Sequence, residues 1–147
     1  MFKHILVPTD GSQLSEEMVK KVVEFAREIG ASITAFFAKD EYPMTYFGEG
    51  ALVDPTTPTK FAEMTEQQSV AVLDYVKSEC AKAGVPCEAI SKTSDVPYEA
   101  IVATAEECGC DLIFMASHGR RGISGLLLGS QTNKVLSHSK IPVLVYR

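Results

Sequence analysis

The feature that most constrains the fold is the regular alternation of short apolar runs with longer helical stretches. The apolar runs predict strands over residues 3–8, 32–38, 87–92, 112–116 and 142–146. The stretches between them predict helices over residues 13–29, 59–83, 97–108 and 131–139. Strands that alternate with helices indicate a parallel sheet with right-handed crossovers and helices on both faces. We therefore predict a single α/β domain over residues 1–147, an open, Rossmann-like, five-stranded parallel sheet in the order 3-2-1-4-5.

Two helical segments carry signals of their own. In the helix over residues 59–83 the predicted apolar stripe consists of Phe61, Met64, Val70, Val72, Leu73 and Val76. The helix over residues 97–108 is expected to begin at Ser94 or Asp95, with Pro97 in its first turn. Residues 39–58 show no period and contain several prolines and glycines, so they predict a long loop. Loops of that length are more often functional or mobile than idle.

Charge and hydropathy exclude several classes of partner. The formal net charge of −5 at pH 7 argues against a general nucleic-acid binder, which normally carries a basic face. No apolar run approaches the roughly 20 residues of a membrane span. The apolar run near the start of the chain is too short for a secretory signal. We therefore expect a cytoplasmic protein without nucleic-acid or membrane partners.

Four cysteines are present: Cys80, Cys87, Cys108 and Cys110. Zinc and redox motifs usually leave two residues between their thiols, whereas Cys108 and Cys110 are separated by one. A second close pair is absent, since Cys80 and Cys87 are seven positions apart. The spacing favours reduced, structural thiols and no metal site.

The glycine-bearing segment over residues 116–130 follows the fourth strand and precedes the last helix. Such a loop can present several backbone N–H groups to one anion, next to the positive end of a helix. Arg120 and Arg121 add charge, and the Ser130 hydroxyl stands where it could cap the helix or touch a phosphate. A phosphate cradle is one interpretation, and a simple turn followed by a cap is the other. Neither a Walker pattern nor the dinucleotide fingerprint occurs.

The predicted strand order brings a second element to this loop. In open parallel sheets, ligands bind outside the carboxyl ends of the strands, where the strand order reverses. The first and fourth strands flank that point here. Asp10 and the glycine loop should therefore face each other across one crevice, which favours a nucleotide site.

Both ends of the chain resemble the universal stress protein family. The opening Ile5-Leu6-Val7-Pro8-Thr9-Asp10-Gly11-Ser12 is similar to that family's first strand and turn. The run from Ser117-His118-Gly119 through Gly129-Ser130 to Ile141-Pro142-Val143-Leu144-Val145 is similar to its last third. The resemblance implies a five-stranded open fold, a homodimer formed through the last strand, and in one branch ATP binding through Gly-x2-Gly-x9-Gly-(Ser/Thr).

One position departs from that ATP-binding pattern. Gly119 and Gly129-Ser130 match it, whereas Ala116 stands where the branch has glycine. If the position needs a positive φ, alanine there costs roughly 1–2 kcal/mol. If the glycine only makes room for phosphate, the methyl group weakens binding.

The resemblance also implies roles for individual residues. Pro8 and Thr9 would pack beside the adenosine, Ala38 would offer backbone groups to the adenine, and Asp10 would meet the ribose hydroxyls or a metal-associated water, or serve as a turn carboxylate. Met115 and Ala116 would line the floor of the site. The residues expected around the phosphates are His118, Gly119, Gly129, Ser130, Gln131 and Thr132, and Arg120 points to phosphate or solvent. Mg²⁺ would arrive with the nucleotide, held mainly by phosphate oxygens and water.

These residues predict a stress-response sensor or switch that binds ATP and hydrolyses it slowly at most. No general base can be named near the γ-phosphate, so no catalytic residue is assigned. The alternative is a dimeric interaction protein of the same fold that binds no nucleotide. A true hydrolase or synthetase of the related adenine-nucleotide type is disfavoured because no Ser-Gly-Gly-x-Asp-Ser segment occurs.

Overall fold

The computed structural model describes residues 1–43, 57–119 and 127–147. Over these ranges strands and helices alternate strictly. The elements are β1 (His4–Pro8), α1 (Gln13–Ile29), β2 (Ser32–Lys39), α2 (Thr57–Ala83), β3 (Cys87–Thr93), α3 (Pro97–Glu107), β4 (Leu112–Ala116), α4 (Ser130–His138) and β5 (Val143–Tyr146). Each predicted element is found with bounds that differ by at most two residues. Most of the predicted long loop, residues 44–56, lies outside the described residues, as do residues 120–126 of the glycine loop.

The five strands form one parallel sheet in the order β3-β2-β1-β4-β5, which confirms the predicted topology. β1 lies at the centre, where Ile5 is in register with Ile33 of β2 and with Leu112 of β4. All five residues of β4 are buried. That burial on both faces is typical of a parallel sheet covered by helices on each side.

Successive side chains of the central strand pack into two separate hydrophobic cores, one on each face of the sheet. Ile5 and Val7 of β1 pack with residues of α1 and α2 on one face. Leu6, between them, packs with residues of α3 and α4 on the other face. The period of two along the strand therefore assigns two helices to each face of the sheet.

The buried face of α2 differs from the predicted stripe. Met64 and Val70 are 67% and 47% exposed. The buried residues are Ser69, Leu73, Val76 and Cys80, which follow one another at helical spacing. Because Ser69 is polar, a search for apolar residues at helical spacing does not find this stripe. The buried Ser69 hydroxyl donates to the Glu66 carbonyl at 2.8 Å. Within the described ranges, no helix is both long and apolar enough to cross a membrane.

The helices α1, α2 and α3 end in the same way. The glycines that follow them, Gly30, Gly84 and Gly109, have φ of 71°, 70° and 66°. In each case the next N–H donates to a carbonyl five residues earlier at 2.9 Å: Ala31 to Ala26, Val85 to Cys80, and Cys110 to Ala105. This Schellman arrangement satisfies the last carbonyls and reverses the chain toward the next strand. The turns at the amino edge of the sheet are therefore short and closed.

Candidate functional site

A cavity of about 500 Å³ opens at the carboxyl ends of the central strands. That volume falls within the roughly 300–1,000 Å³ of small-molecule pockets. The cavity lies between β1 and β4, where the strand order reverses. Twelve of the thirteen residues expected from the sequence line it: Pro8, Thr9, Asp10, Ala38, Met115, Ala116, His118, Gly119, Gly129, Ser130, Gln131 and Thr132. The thirteenth, Arg120, lies outside the described residues.

Asp10 organises the turn between β1 and α1. Its Oδ1 accepts hydrogen bonds from the Ser12 N–H at 3.0 Å and from the Ser15 hydroxyl at 2.9 Å. Ser12 in turn caps α1, since its Oγ accepts from the Ser15 N–H at 3.3 Å. The role of turn carboxylate is thus present in the structure, and Asp10 also lines the cavity.

Gly119 and Gly129 are needed for close approach. Neither has a left-handed φ. A Cβ placed on Gly119 would run into Oδ2 of Asp10. A Cβ on Gly129 would lie 3.2 Å from the Ser117 carbonyl oxygen, to which the Gly129 N–H donates at 2.7 Å. The two glycines therefore allow the turn after β1, the end of β4 and the start of α4 to meet at one point.

Ala116 occupies its position without backbone strain. No non-glycine residue in the described ranges has a positive φ, and Ala116 is extended and in register with Tyr146 of β5. The possibility that this position requires a positive φ is therefore wrong. Its carbonyl accepts from the Thr132 hydroxyl at 3.0 Å, so that buried side chain ties α4 to the end of β4. Only the space that the Ala116 methyl takes remains as a difference from glycine.

The start of α4 differs from the expectation for Ser130. Gly129 is the N-cap residue, with no side-chain cap, and Ser130 is the first helical residue. The capping role of the Ser130 hydroxyl is therefore wrong. The first N–H groups of a helix have no intrahelical acceptor and carry the positive end of its dipole. At this helix those groups belong to Ser130, Gln131 and Thr132, beside the cavity.

Gln131 joins the starts of two helices. Its Oε1 accepts from the Tyr98 N–H in the first turn of α3 at 3.0 Å. Val96 is the N-cap of α3 and provides no side-chain cap, so the expected caps Ser94 and Asp95 are wrong, whereas Pro97 does lie in the first turn. The Gln131 side chain thus supplies an acceptor that α3 lacks locally, and the residue also lines the cavity.

Nine further residues line the cavity that the sequence interpretation did not include. They are Ser15, Phe36, Phe37, Asp40, Gln68, Ser94, Asp95, Pro97 and Ile101. Asp40 follows β2 directly, and Ser94 follows β3, so the strand-end rule applied to those strands would have found them. Gln68 comes from the middle of α2 and carried no local signal.

The charge of the described lining is negative. Asp10, Asp40 and Asp95 contribute carboxylates, and the lining residues that the structure describes include no lysine or arginine. The polar groups beside these carboxylates include the first N–H groups of α4 and the His118 imidazole. The Nδ1 atom of His118 is 3.2 Å from the Ser117 hydroxyl. The arrangement can hold a ligand with an anionic group at the α4 start, provided that a cation offsets the carboxylates.

An open parallel sheet with a glycine-bordered cavity at its switch point defines a Rossmann-like fold with a candidate small-molecule site. Comparison with known proteins narrows this class, because the model of the universal stress protein family matches residues 1–147. The chain therefore belongs to the universal stress protein family.

Individual relatives agree with this assignment. The chain is 30% identical to universal stress protein MJ0531 of Methanocaldococcus jannaschii, over 100% of this chain and 83% of that protein. A solved structure of MJ0577, from the same organism, is 29% identical with a TM-score of 0.84, covering 99% of this chain and 95% of that one. Two solved universal stress proteins share the fold at lower identity. One, in complex with cAMP, is 24% identical with a TM-score of 0.71, over 99% and 97% of the two chains. The other, from Arabidopsis thaliana with AMP bound, is 17% identical with a TM-score of 0.69, over 97% and 90%.

Proposed function

We propose that this protein binds ATP in the cavity between β1 and β4 and acts as a stress-response sensor or switch. The observation that carries the proposal is the convergence of Asp10, Gly119 and Gly129 with the start of α4 on one cavity of about 500 Å³. The phosphate oxygens would accept hydrogen bonds from the N–H groups at the start of α4. The adenosine would lie toward Pro8, Thr9 and Ala38.

Two structural neighbours support the class of ligand. One was solved in complex with cAMP and the other with AMP bound. Both ligands are adenine nucleotides, and both proteins share this fold. The spacing of Gly119, Gly129 and Ser130, which matches that of the ATP-binding branch, favours ATP among these nucleotides.

The donor set of the cavity fits a nucleotide that carries Mg²⁺. Three carboxylates line the described part of the cavity, so a bare polyphosphate would meet repulsion there. Mg²⁺ is a hard cation that keeps several waters and binds through phosphate oxygens and one or two carboxylates. Asp10 and Asp40 are the residues we assign to water-bridged contacts with that ion. The ion would supply the charge that joins the phosphates to an acidic cavity.

Slow hydrolysis at most is part of the proposal. A general base has to reach the attacking water directly or through one water. Asp10 is the carboxylate nearest the glycines, and its Oδ1 already accepts two hydrogen bonds that hold the α1 start. A protein that binds ATP and turns it over slowly suits a switch better than a metabolic enzyme.

We also propose that the protein is cytoplasmic and forms a homodimer through β5. β5 pairs with β4 along one edge, and among the described residues no strand pairs with its other edge. Leu144 in this strand is 37% exposed. An apolar strand edge of this kind tends to be covered by another chain.

The test is calorimetric titration of ATP, with and without Mg²⁺, into the wild type, Gly129→Val and Gly109→Ala. Valine at position 129 crowds the Ser117 carbonyl, so we expect ATP affinity to fall at least tenfold. Gly109→Ala is the matched control: its φ of 66° imposes strain, but nothing lies within 4 Å of the added Cβ. That variant should lose stability and keep ATP affinity. A folded wild type that gives no heat with ATP, AMP or cAMP would favour the interaction protein without nucleotide.

A further inference from the structure

Tyr98, in the first turn of α3, lies against one face of α4. The Tyr98 backbone N–H donates to the Gln131 side chain at 3.0 Å. The Lys134 ammonium lies 5.4 Å from the centroid of the Tyr98 ring, and the centroid of the His138 ring lies 4.9 Å from it. Residues 131, 134 and 138 follow one another at helical spacing, so all three contacts come from the same face of α4. We call these four residues the Tyr98 clamp.

The helix that carries Tyr98 also borders the cavity. Pro97, directly before Tyr98, and Ile101, one turn after it, line the cavity from α3. Gln131 lines the same cavity from α4. Tyr98 itself is not among the described residues of the lining. The Tyr98 clamp therefore fixes the arrangement of two helix starts that border one cavity, although the Tyr98 side chain lies outside it.

The other contacts of α4 fix its distance from the sheet more than its direction. The Gly129 N–H and the Thr132 hydroxyl donate to carbonyls at the end of β4 and just after it, at 2.7 Å and 3.0 Å. Both of these bonds hold the first turn of the helix. Val135 is buried in the core beneath α4, but the hydrophobic effect is non-directional. The Tyr98 clamp extends over residues 131–138, so it can fix the direction of the helix axis.

We propose that Tyr98 is a positioning residue for phosphate binding at the start of α4, an inference that rests on the proposed nucleotide binding. The first N–H groups of a helix bind an anion because they point at it. Hydrogen bonds weaken steeply when the angle at the donor falls below about 120°. A change in the direction of α4 would turn the N–H groups of Ser130, Gln131 and Thr132 away from a phosphate. The Tyr98 clamp prevents that change.

The two ends of a nucleotide should respond differently to loss of the clamp. Tyr98→Ala removes the ring that Lys134 and His138 contact, and it keeps the backbone N–H. We expect ATP affinity to fall about tenfold, the loss that follows when one hydrogen bond to a charged group is misdirected. Adenosine affinity should change by less than about twofold, because the residues proposed to hold adenosine belong to β1, β2 and the turn after β1. Tyr98→Phe keeps the ring and loses a hydroxyl that donates only within α3, to Glu99 at 3.1 Å, so it should behave as the wild type.

Two measurements test the proposal. Calorimetric titration compares ATP with Mg²⁺ and adenosine in the wild type, Tyr98→Ala and Tyr98→Phe. Residual dipolar couplings of the backbone amides report the direction of α4 relative to the sheet without any ligand. Phe25→Ala is the matched control, because Phe25 is also a half-buried aromatic residue and packs against Phe114 on the other face of the sheet, with ring centroids 6.0 Å apart. This control should lose stability and keep both affinities and the couplings of α4.

We expect the couplings of α4 to change in Tyr98→Ala and also in the double variant Lys134→Ala/His138→Ala. Both side chains of the double variant are exposed, so it removes two contacts of the clamp without opening the core. Unchanged couplings of α4 in both variants, or equal losses of ATP and adenosine affinity in Tyr98→Ala, would overturn the proposal. A wild type that binds neither ligand would contradict the proposed function, and the couplings would then decide by themselves whether Tyr98 directs α4.

Discussion

Replacing Gly119 with alanine should perturb the protein through Asp10. The Gly119 φ is open to any residue, so the substitution adds no backbone strain. The added methyl group meets Oδ2 of the Asp10 carboxylate, while Oδ1 holds the Ser12 N–H and the Ser15 hydroxyl. To make room, the carboxylate has to turn and give up one of those bonds, or the chain at position 119 has to move.

The size of the effect follows from those bonds. A hydrogen bond to a charged group contributes about 1.5–3 kcal/mol, and replacing glycine at a compatible φ returns about 0.4–1 kcal/mol through the unfolded chain. We therefore expect Gly119→Ala to lower the free energy of unfolding by about 1–2 kcal/mol. In an Asp10→Ala background the obstacle is gone, and the same substitution should stabilise the protein by about 0.4–1 kcal/mol.

Urea denaturation of the four proteins in this double-mutant cycle measures the coupling between the two positions. A coupling energy of about 1.5–3 kcal/mol is expected, which is the value of the displaced hydrogen bond, and it requires no assumption about any ligand. If Gly119→Ala costs the same with and without the Asp10 carboxylate, the close approach of the two residues does not control this turn, and the argument for the glycine is refuted.

Three further outcomes are expected. The Asp111 carboxylate accepts hydrogen bonds from the Lys3 and His4 N–H groups at 2.8–3.1 Å. Burial raises the pKa of this carboxyl, but the hydrogen bonds from the His4 and Lys3 N–H groups together outweigh burial, so the pKa is lowered. The stability that this carboxylate contributes is therefore present above its unfolded pKa of about 3.9 and is lost as pH falls through the lower folded value. Asp111→Asn should cost about 1–2 kcal/mol in urea denaturation at pH 7 and less at pH 3. An equal cost at both pH values would contradict this. Gln131→Ala should lower the free energy of unfolding by about 0.5–1.5 kcal/mol and speed hydrogen exchange of the Tyr98 amide. Gln131→Glu keeps the acceptor and should preserve the protection of that amide. Unchanged exchange in the alanine variant would contradict the role of Gln131 as a cap for α3. Leu144→Asp should convert a dimer to a monomer in sedimentation velocity, and a wild type that is already monomeric at micromolar concentration would exclude pairing through β5.

The fold was predictable because its signals are local. The short apolar runs of the strands and the longer helical stretches between them mark elements without reference to the rest of the chain. The face of α2 was not predictable in the same way, because its stripe begins at Ser69, a polar residue buried by a hydrogen bond within its own helix. Burial of that residue depends on tertiary packing, which an apolar pattern does not record.

The cavity was predictable where its residues follow β1 and β4. The rule that ligands bind at the carboxyl ends of strands brought Asp10 and the glycines together before any coordinates. The partner of Gln131 could not be predicted, since Tyr98 lies 33 positions away and its N–H is an ordinary backbone group. Likewise, the reason for glycine at position 119 is the Asp10 side chain, and only the three-dimensional arrangement shows that contact.

The closed Schellman turns have a consequence for how sequences of this kind can diverge. They lie at one edge of the sheet, and the residues that border the cavity lie at the other. A substitution at Gly30, Gly84 or Gly109 changes how firmly the molecule holds its shape and leaves its ligand chemistry untouched. Replacements around the cavity change the surface that faces a ligand, and they also cost stability where the side chain holds a helix start, as Asp10 and Gln131 do. The residues that close the turns at one edge can therefore change separately from the residues that line the cavity at the other.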